Sequence, residues 1–177
     1  AGQAKVIIGN NVVAHINDYQ DLGRAVKTLL HPEGVFVFEA PYLVDMFENF
    51  TFDTIYHEHL SFLAVYPLTH LFKQFGLEIF EVQIVSAQGQ SLRVFVGQIG
   101  AHPIDASVAT CLSKEAGLGL QQLETYHTLA KKIAEDKERV VKFLTELKNQ
   151  GKHLAAYGAP AKGNTLLNYY NIGPALL

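Results

Sequence analysis

KVIIGNNVVAHINDYQDLGRAVKTLLHPEGVFVF, residues 5–38, is the stretch that decides the fold. Lys5-Val-Ile-Ile8 reads as a short buried strand that ends at Gly9-Asn10-Asn11. Asp18 is a candidate N-cap, because its side-chain oxygen can accept from a first-turn N–H. The helix it starts runs to Leu30 and places Leu22, Ala25, Val26, Leu29 and Leu30 on one face. His31-Pro-Glu-Gly34 reads as its stop. Val35-Phe-Val-Phe38 is a continuous β-prone run, the pattern of a strand covered on both faces. Strand, helix, strand in this order predicts a βαβ unit with a parallel sheet. Further along, 41–66 is irregular, and Pro67–Phe75 reads as a helix with Gly76 just past its end. Leu77–Val85 and Ser91–Gly97 read as two strands joined by Ala87-Gln-Gly-Gln90, short enough for an antiparallel hairpin. The expected class is α/β, with parallel strands first and an antiparallel edge pair after them.

The composition supports a folded body. Of 177 residues 49% are hydrophobic and 18% charged, below the charged share of about 25% usual in soluble domains. No run of about 18 apolar residues reads as a membrane span. A net charge of −3 offers no electrostatic case for nucleic acid. One cysteine, Cys111, excludes an internal disulfide framework and a cysteine-built zinc site in these residues. Residues 114–152 hold 14 of the 31 charged residues and read as one long solvated helix. Its seam, Leu123, Tyr126, Ala130, Ile133, Lys137, Val140, Leu144 and Leu147, alternates spacings of three and four. That pattern suits either a connecting helix or a self-pairing coiled coil. After Gly151, His153-Leu-Ala-Ala-Tyr157 reads as a strand, Gly158-Ala-Pro-Ala-Lys-Gly163 as a loop and Asn164 onward as a helix, the opening of a second α/β unit. Both ends read as cut from a longer protein. No signal peptide is present, so a cytoplasmic location is expected.

Tyr56-His57-Glu58-His59 is the densest polar cluster in the apolar body. In an extended segment Tyr56 and Glu58 would share one side and the two histidines the other. A metal reading needs a third ligand, such as His15 or Asp53, and lacks the helical His-Glu-x-x-His spacing. An acid–base reading uses a neutral histidine to take a proton from carbon beside a carbonyl, with Tyr or Glu assisting. In the third reading these groups satisfy one another and nearby backbone. Asn10, Asn11 and His15 follow the first strand, at the sheet edge where ligands of open α/β folds bind. The two asparagines equally suit a turn. Gly158-Ala159-Pro160-Ala161-Lys162-Gly163 suits either an anion, through helix-start N–H groups and a lysine, or a tight turn; its spacing is not that of a P-loop.

Five blocks occur in order: Asn10-Asn-Val-Val-Ala-His-Ile16, Phe38-Glu-Ala-Pro-Tyr-Leu43, Phe52-Asp-Thr-Ile-Tyr-His-Glu-His-Leu-Ser61, Ser91-Leu-Arg-Val-Phe95 and Gly158-Ala-Pro-Ala-Lys-Gly-Asn-Thr165. Together they resemble the S-adenosylmethionine-dependent sugar C-methyltransferases, which add a methyl branch to nucleotide-linked keto-deoxysugars. The resemblance implies that residues 1–100 form the second half of a Rossmann-like methyltransferase domain and that 101–150 are a helical linker. It implies that 151–177 begin a carboxyl-terminal nucleotide-sugar-binding domain. His59 then matches the general base, with Tyr56, Glu58 and His15 as its active-site neighbours. Lys162, with Gly158, Ala159, Pro160 and Gly163, would face the diphosphate or sugar. Arg93 joins the substrate-binding set, and Asn10 and Asn11 face the cofactor. Most of the S-adenosylmethionine site and the family's zinc would lie in an amino-terminal part outside this chain, which alone would bind cofactor weakly. No metal is expected within these residues. One departure is Gly89-Gln90, where the family often has Gly-Gly. The expected substrate is a nucleotide-diphospho-sugar, and a dimer through the sheet edge or long helix is a further expectation. The competing readings are a non-catalytic nucleotide-sugar binding module and a coiled-coil interaction protein.

Overall fold

In the computed structural model, which describes residues 2–86 and 89–177, the opening stretch folds as strand, helix, strand. β1 (Ala4–Asn10) leads through a 3-10 turn at Val13–His15 into α1 (Tyr19–Leu29), and β2 (Leu30–Pro41) runs parallel to β1. The Asp18 side chain accepts from the Asp21 N–H at 2.9 Å and caps α1. Gly23 lets α1 lie close to Phe75, since a Cβ there would overlap the Phe75 ring.

His31–Gly34, expected as a loop, belongs to β2. The pairing register shifts between Ala4/Leu30 and Val6/Val35. Pro32, with no N–H to give a ladder, falls in the shifted stretch where its loss is tolerated.

The irregular stretch 41–66 holds a short helix, α2 (Leu43–Glu48), and a 3-10 turn at Phe52–Thr54. α3 (Val65–Lys73) starts two residues before Pro67, so the proline sits in its first turn. β3 (Leu77–Val85) and β4 (Ser91–Gln98) are antiparallel, as their short connection predicts. Ala87 and Gln88 of that connection lie outside the described residues. β4 inserts between β2 and β3, giving the order β1-β2-β4-β3. The class is therefore α/β, with a mixed four-stranded sheet.

Strand alternation decides which side chains are inside. Phe36, Phe38 and Ala40 of β2 and Leu92, Val94 and Val96 of β4 pair across the ladder and are buried. They form one cluster with Val26 of α1 and Leu68 and Phe72 of α3, and the Phe36 and Phe38 rings are stacked 5.2 Å apart. Each Val, Leu or Phe side chain in it contributes about 1.5–3 kcal/mol on burial. Val35, Val37 and Glu39 point the other way and are half-buried, while Val6 is 60% and Ile8 68% exposed. The expectation that β2 is covered on both faces thus holds for one face. The cause is that α1, α3 and β4 all send their buried apolar groups into the same cluster.

α4 (Ala106–Gly117) supplies a buried acid to this body. Glu115 is 1% exposed. Its Oε1 accepts from the Tyr42 hydroxyl at 2.9 Å and the Val65 N–H at 2.6 Å, and its Oε2 accepts from the Tyr66 N–H at 2.9 Å. Ala64 precedes α3 and has no side chain to cap it, so Glu115 satisfies first-turn donors that would otherwise be orphaned. Burial, reinforced by this carboxylate, pushes the Tyr42 hydroxyl and the Cys111 thiol above their ordinary pKa values.

By compactness the chain divides in two: 1–50 with 58–120, and 51–57 with 121–177. The charged run expected as one helix is two helices. α4 ends at Gly117, Gly119 takes a φ of +70°, and α5 spans Leu123–Asn149. Two glycines within three residues provide the break, because only glycine adopts that φ without steric cost. In the second unit Leu129 and Ile133 of α5 are buried, whereas Leu123 is 70% exposed, so the heptad seam is not covered along its length. α6 (Ala161–Tyr170) ends at Asn171 in a left-handed conformation. Phe52 stacks on Tyr170 at 5.8 Å, and the Tyr170 hydroxyl donates to Asp136. The strand expected at His153–Tyr157 is absent; the segment is non-regular and mostly exposed. Ala155 and Ala156 have low strand propensity, and no strand pairs with the segment among the described residues. Among the described residues no helix is long and apolar enough to cross a membrane.

Two tests follow from these buried polar contacts. Glu115→Ala strands three donors, and should cost about 3 kcal/mol or more, read as a lower urea midpoint; Glu115→Gln should cost less. Burial pushes the Asp136 carboxyl up, but the Tyr170 hydroxyl and Arg139 outweigh it and hold it below its ordinary value. Its stabilising contribution is present above the unfolded carboxylate value and is lost as pH falls through the depressed one. Tyr170→Phe should therefore move the acid-unfolding midpoint of this unit to higher pH.

Candidate active site

The carboxyl edge of the parallel pair is built by β1 and β2. Asn10 stands opposite Glu39, and the Asn11 N–H donates to the Glu39 carbonyl at 3.0 Å. Asn11 has a φ of +53°, a left-handed conformation that asparagine tolerates better than most residues. The chain thereby turns out of β1 and into the 3-10 turn that ends at His15. Tyr19 fixes that turn from α1: its hydroxyl donates to the Val13 carbonyl at 2.7 Å. Burial raises the Tyr19 phenol above its ordinary value, with a hydrogen bond to Ser61 opposing.

A second tie comes from the segment after the Tyr-His-Glu-His motif. The Ser61 N–H donates to the Ala14 carbonyl at 3.2 Å, and His15 Nδ1 donates to the Glu58 carbonyl at 2.5 Å. These bonds bring His15 and His59 together, with ring centroids 5.3 Å apart and planes inclined by 47°. Phe62 meets the His59 ring edge-on at 6.3 Å. His59 is half-buried and His15 exposed. Next to them an open, mainly apolar cavity of about 280 Å³ is lined by Tyr19, Ser61, Phe62, Leu63 and the Pro67–Leu71 face of α3.

The other candidate residues are placed as follows. A bend and turn at residues 56–58 breaks the alternation that would have put Tyr56 beside Glu58. Glu58 and His59 belong to the first compact unit, Tyr56 and His57 to the second. Tyr56 is half-buried, and its N–H donates to the Thr54 carbonyl at 3.1 Å. The Gly158–Gly163 residues also belong to the second unit. Gly158 has a φ of +105°, Pro160 occupies the N-cap of α6, and Lys162 and Gly163 lie in its first turn. Arg93 on β4 is already engaged. Its Nε and Nη2 both donate to Glu39 Oε1 at 2.6 Å, and its Nη1 donates to the Gln83 side chain at 3.2 Å. The guanidinium is thus held in one orientation by a carboxylate that is largely buried.

Sequence reading missed Tyr19, Ser61, Phe62 and Glu39 as parts of this arrangement. Glu39 carried a usable signal, since an acid inside a β-prone run needs a partner on the adjacent strand. The role of Ser61 depends on contacts to Ala14 and Tyr19 across more than 40 positions, which no local pattern reports.

Residues 1–82 match a family model described as a methyltransferase domain. The chain is 34% identical over 173 residues to C-methyltransferase NovU of Streptomyces niveus, covering 97% of this chain and 41% of NovU. It spans about two fifths of that curated relative's length. A solved structure, N-methyltransferase NodS from Bradyrhizobium japonicum WM9, aligns with a TM-score of 0.38 and 16% identity, covering 55% of this chain and 53% of NodS; at that level the likeness carries no argument. Residues 86–177, more than half of the chain, match the family model of the C-methyltransferase C-terminal domain, and the chain therefore belongs to the C-methyltransferase family.

Proposed function

We propose that this chain carries the proton-transfer centre of an S-adenosylmethionine-dependent methyltransferase that methylates carbon α to the ketone of a nucleotide-linked keto-deoxysugar. The observation that carries the reading is the convergence of His15 and His59 beside the carboxyl edge of the sheet, in a chain of this family. An imidazole at a ligand-accepting edge is a suitable base for carbon deprotonation near neutral pH.

His59 takes the proton from the carbon next to the ketone. The electron pair left behind spreads onto the ketone oxygen, where a hydrogen-bond donor stabilises it; the family resemblance gives this role to the Tyr56 hydroxyl. Phe62 against the ring of His59 limits its rotation and keeps one edge toward the substrate. The residues present fit one edge of the cofactor. Asn10 and Asn11 are exposed amides, neutral donors and acceptors suited to its adenosyl or methionine groups, whereas the Glu39 carboxylate is committed to Arg93. When bound, S-adenosylmethionine would supply an electrophilic methyl group, with its sulfur as the leaving group in the form of a neutral thioether. Lys162, with the backbone N–H groups of the first turn of α6, serves the diphosphate or the sugar, as helix N-termini do for anions.

In the protein as its gene encodes it, His59→Ala should lower methyl transfer to a thymidine diphosphate keto-deoxysugar by about 100-fold or more. The same change should abolish deuterium uptake from solvent at the α-carbon in the absence of S-adenosylmethionine. Turnover within a few-fold of wild type would remove His59 as the base. Binding of the nucleotide-sugar by wild type with neither reaction would favour a non-catalytic binding module instead.

A further inference from the structure

The hydrogen bond between His15 and Glu58 specifies more than position. A carbonyl oxygen has only lone pairs to offer, so the ring nitrogen facing it carries the hydrogen. That nitrogen is Nδ1, 2.5 Å from the Glu58 carbonyl oxygen. A neutral imidazole has one N–H, so Nε2 of neutral His15 is a bare lone pair. The Ser61 N–H to Ala14 carbonyl bond holds the two segments in the same alignment, so the Glu58 carbonyl cannot drift from the ring without breaking a second tie. The exposed ring has no other hydrogen bond among the described residues, which leaves Nε2 open to a ligand.

A bare nitrogen accepts and does not donate. Neutral His15 is therefore unsuited to stabilising an enolate oxygen, which needs a donor. We propose that His15 is the hydrogen-bond acceptor of this site, locked by the Glu58 main-chain carbonyl in the Nδ1–H form, with Nε2 receiving an O–H of the substrate. The identity of the donor, a hydroxyl of the bound sugar, rests on the methyl-transfer reading; the state of the ring does not. The Glu58 backbone acts here as a positioning group, and its side chain has no part in the lock. Selection for a hydroxyl at that place would follow, because an analogue lacking it leaves the lone pair desolvated and unpaired.

The state of the ring is read directly by long-range proton–nitrogen correlation spectra of the chain labelled with ¹⁵N-histidine. They are recorded above the pH at which His15 titrates in those same spectra. His15→Asn identifies its peaks. The expected pattern has Nε2 as the unprotonated nitrogen and Nδ1 as the protonated one, the reverse of the form free histidine prefers. Glu58→Gln should leave it unchanged. Protonation on Nε2, or fast averaging of the two nitrogens, overturns the proposal.

A second measurement tests the acceptor role in the protein as its gene encodes it, with a thymidine diphosphate keto-deoxysugar. His15→Gln can place a carbonyl oxygen near the Nε2 position and should keep KM within a few-fold. His15→Asn reaches only the Glu58 carbonyl and should raise KM about tenfold, the loss expected for one hydrogen bond of about 1.4 kcal/mol. Equal losses in the two variants overturn the acceptor role. Absence of methyl transfer in wild type, with the predicted ring pattern intact, would sink the functional reading and leave the lock standing.

Discussion

The Glu115 carboxylate is the contact on which the first unit depends. It leaves α4, enters the core, and accepts hydrogen bonds from a side chain at the end of β2 and from two N–H groups at the start of α3. A carboxylate out of water is tolerated only when its lone pairs are met by donors, and here three donors meet it. The constraint is mutual. α3 has no side-chain cap of its own, the Tyr42 hydroxyl donates to this carboxylate, and α4, which also packs Val108 and Cys111 into the core, is fixed in register against both. Together these tie the sheet edge at Tyr42 to the start of α3, the helix that follows Glu58 and His59 in the chain.

The site itself is assembled largely by main chain. The turn after β1 is held by the Val13, Ala14 and Glu39 carbonyls, and the histidine segment docks through Glu58 and Ser61 backbone groups. Side chains then differ in how much freedom they retain. Arg93 is clamped by Glu39 and Gln83, whereas His15 is held at one nitrogen with the other open. A guanidinium fixed in this way serves as a rigid surface charge. An imidazole fixed at one nitrogen keeps a reactive atom available, which is the more useful state for a group near a reacting carbon.

Local chemistry was legible in the amino-acid sequence, and remote chemistry was not. Asp18 as a cap, Gly76 after α3 and the short β3–β4 connection are decided within a few residues, and the structure has each of them. The run 114–152 looked uniformly solvated, and nothing local marks Glu115 as the one acid that turns inward; its partners are 49 to 73 positions away. The strand expected at His153–Tyr157 rested on its place before a glycine-containing loop and a helix; two alanines give it little strand propensity, and a ladder needs a second strand besides. Around the candidate site, the motif blocks named His15, Glu58 and His59 together. They did not reveal that the link between the first two runs through a main-chain oxygen, because such a bond leaves no mark on side-chain identity.

That last feature has an evolutionary meaning. As far as the orientation of His15 is concerned, position 58 is free to change its side chain, since every residue type brings the same carbonyl. What selection must preserve instead is geometry: the number of residues between Glu58 and Ser61, the left-handed turn at Asn11, and the absence of any insertion that would slide one segment along the other. A lineage could alter the charge around this centre by substitution while keeping the ring in place, and would lose it by a one-residue deletion that alters no chemical group at all.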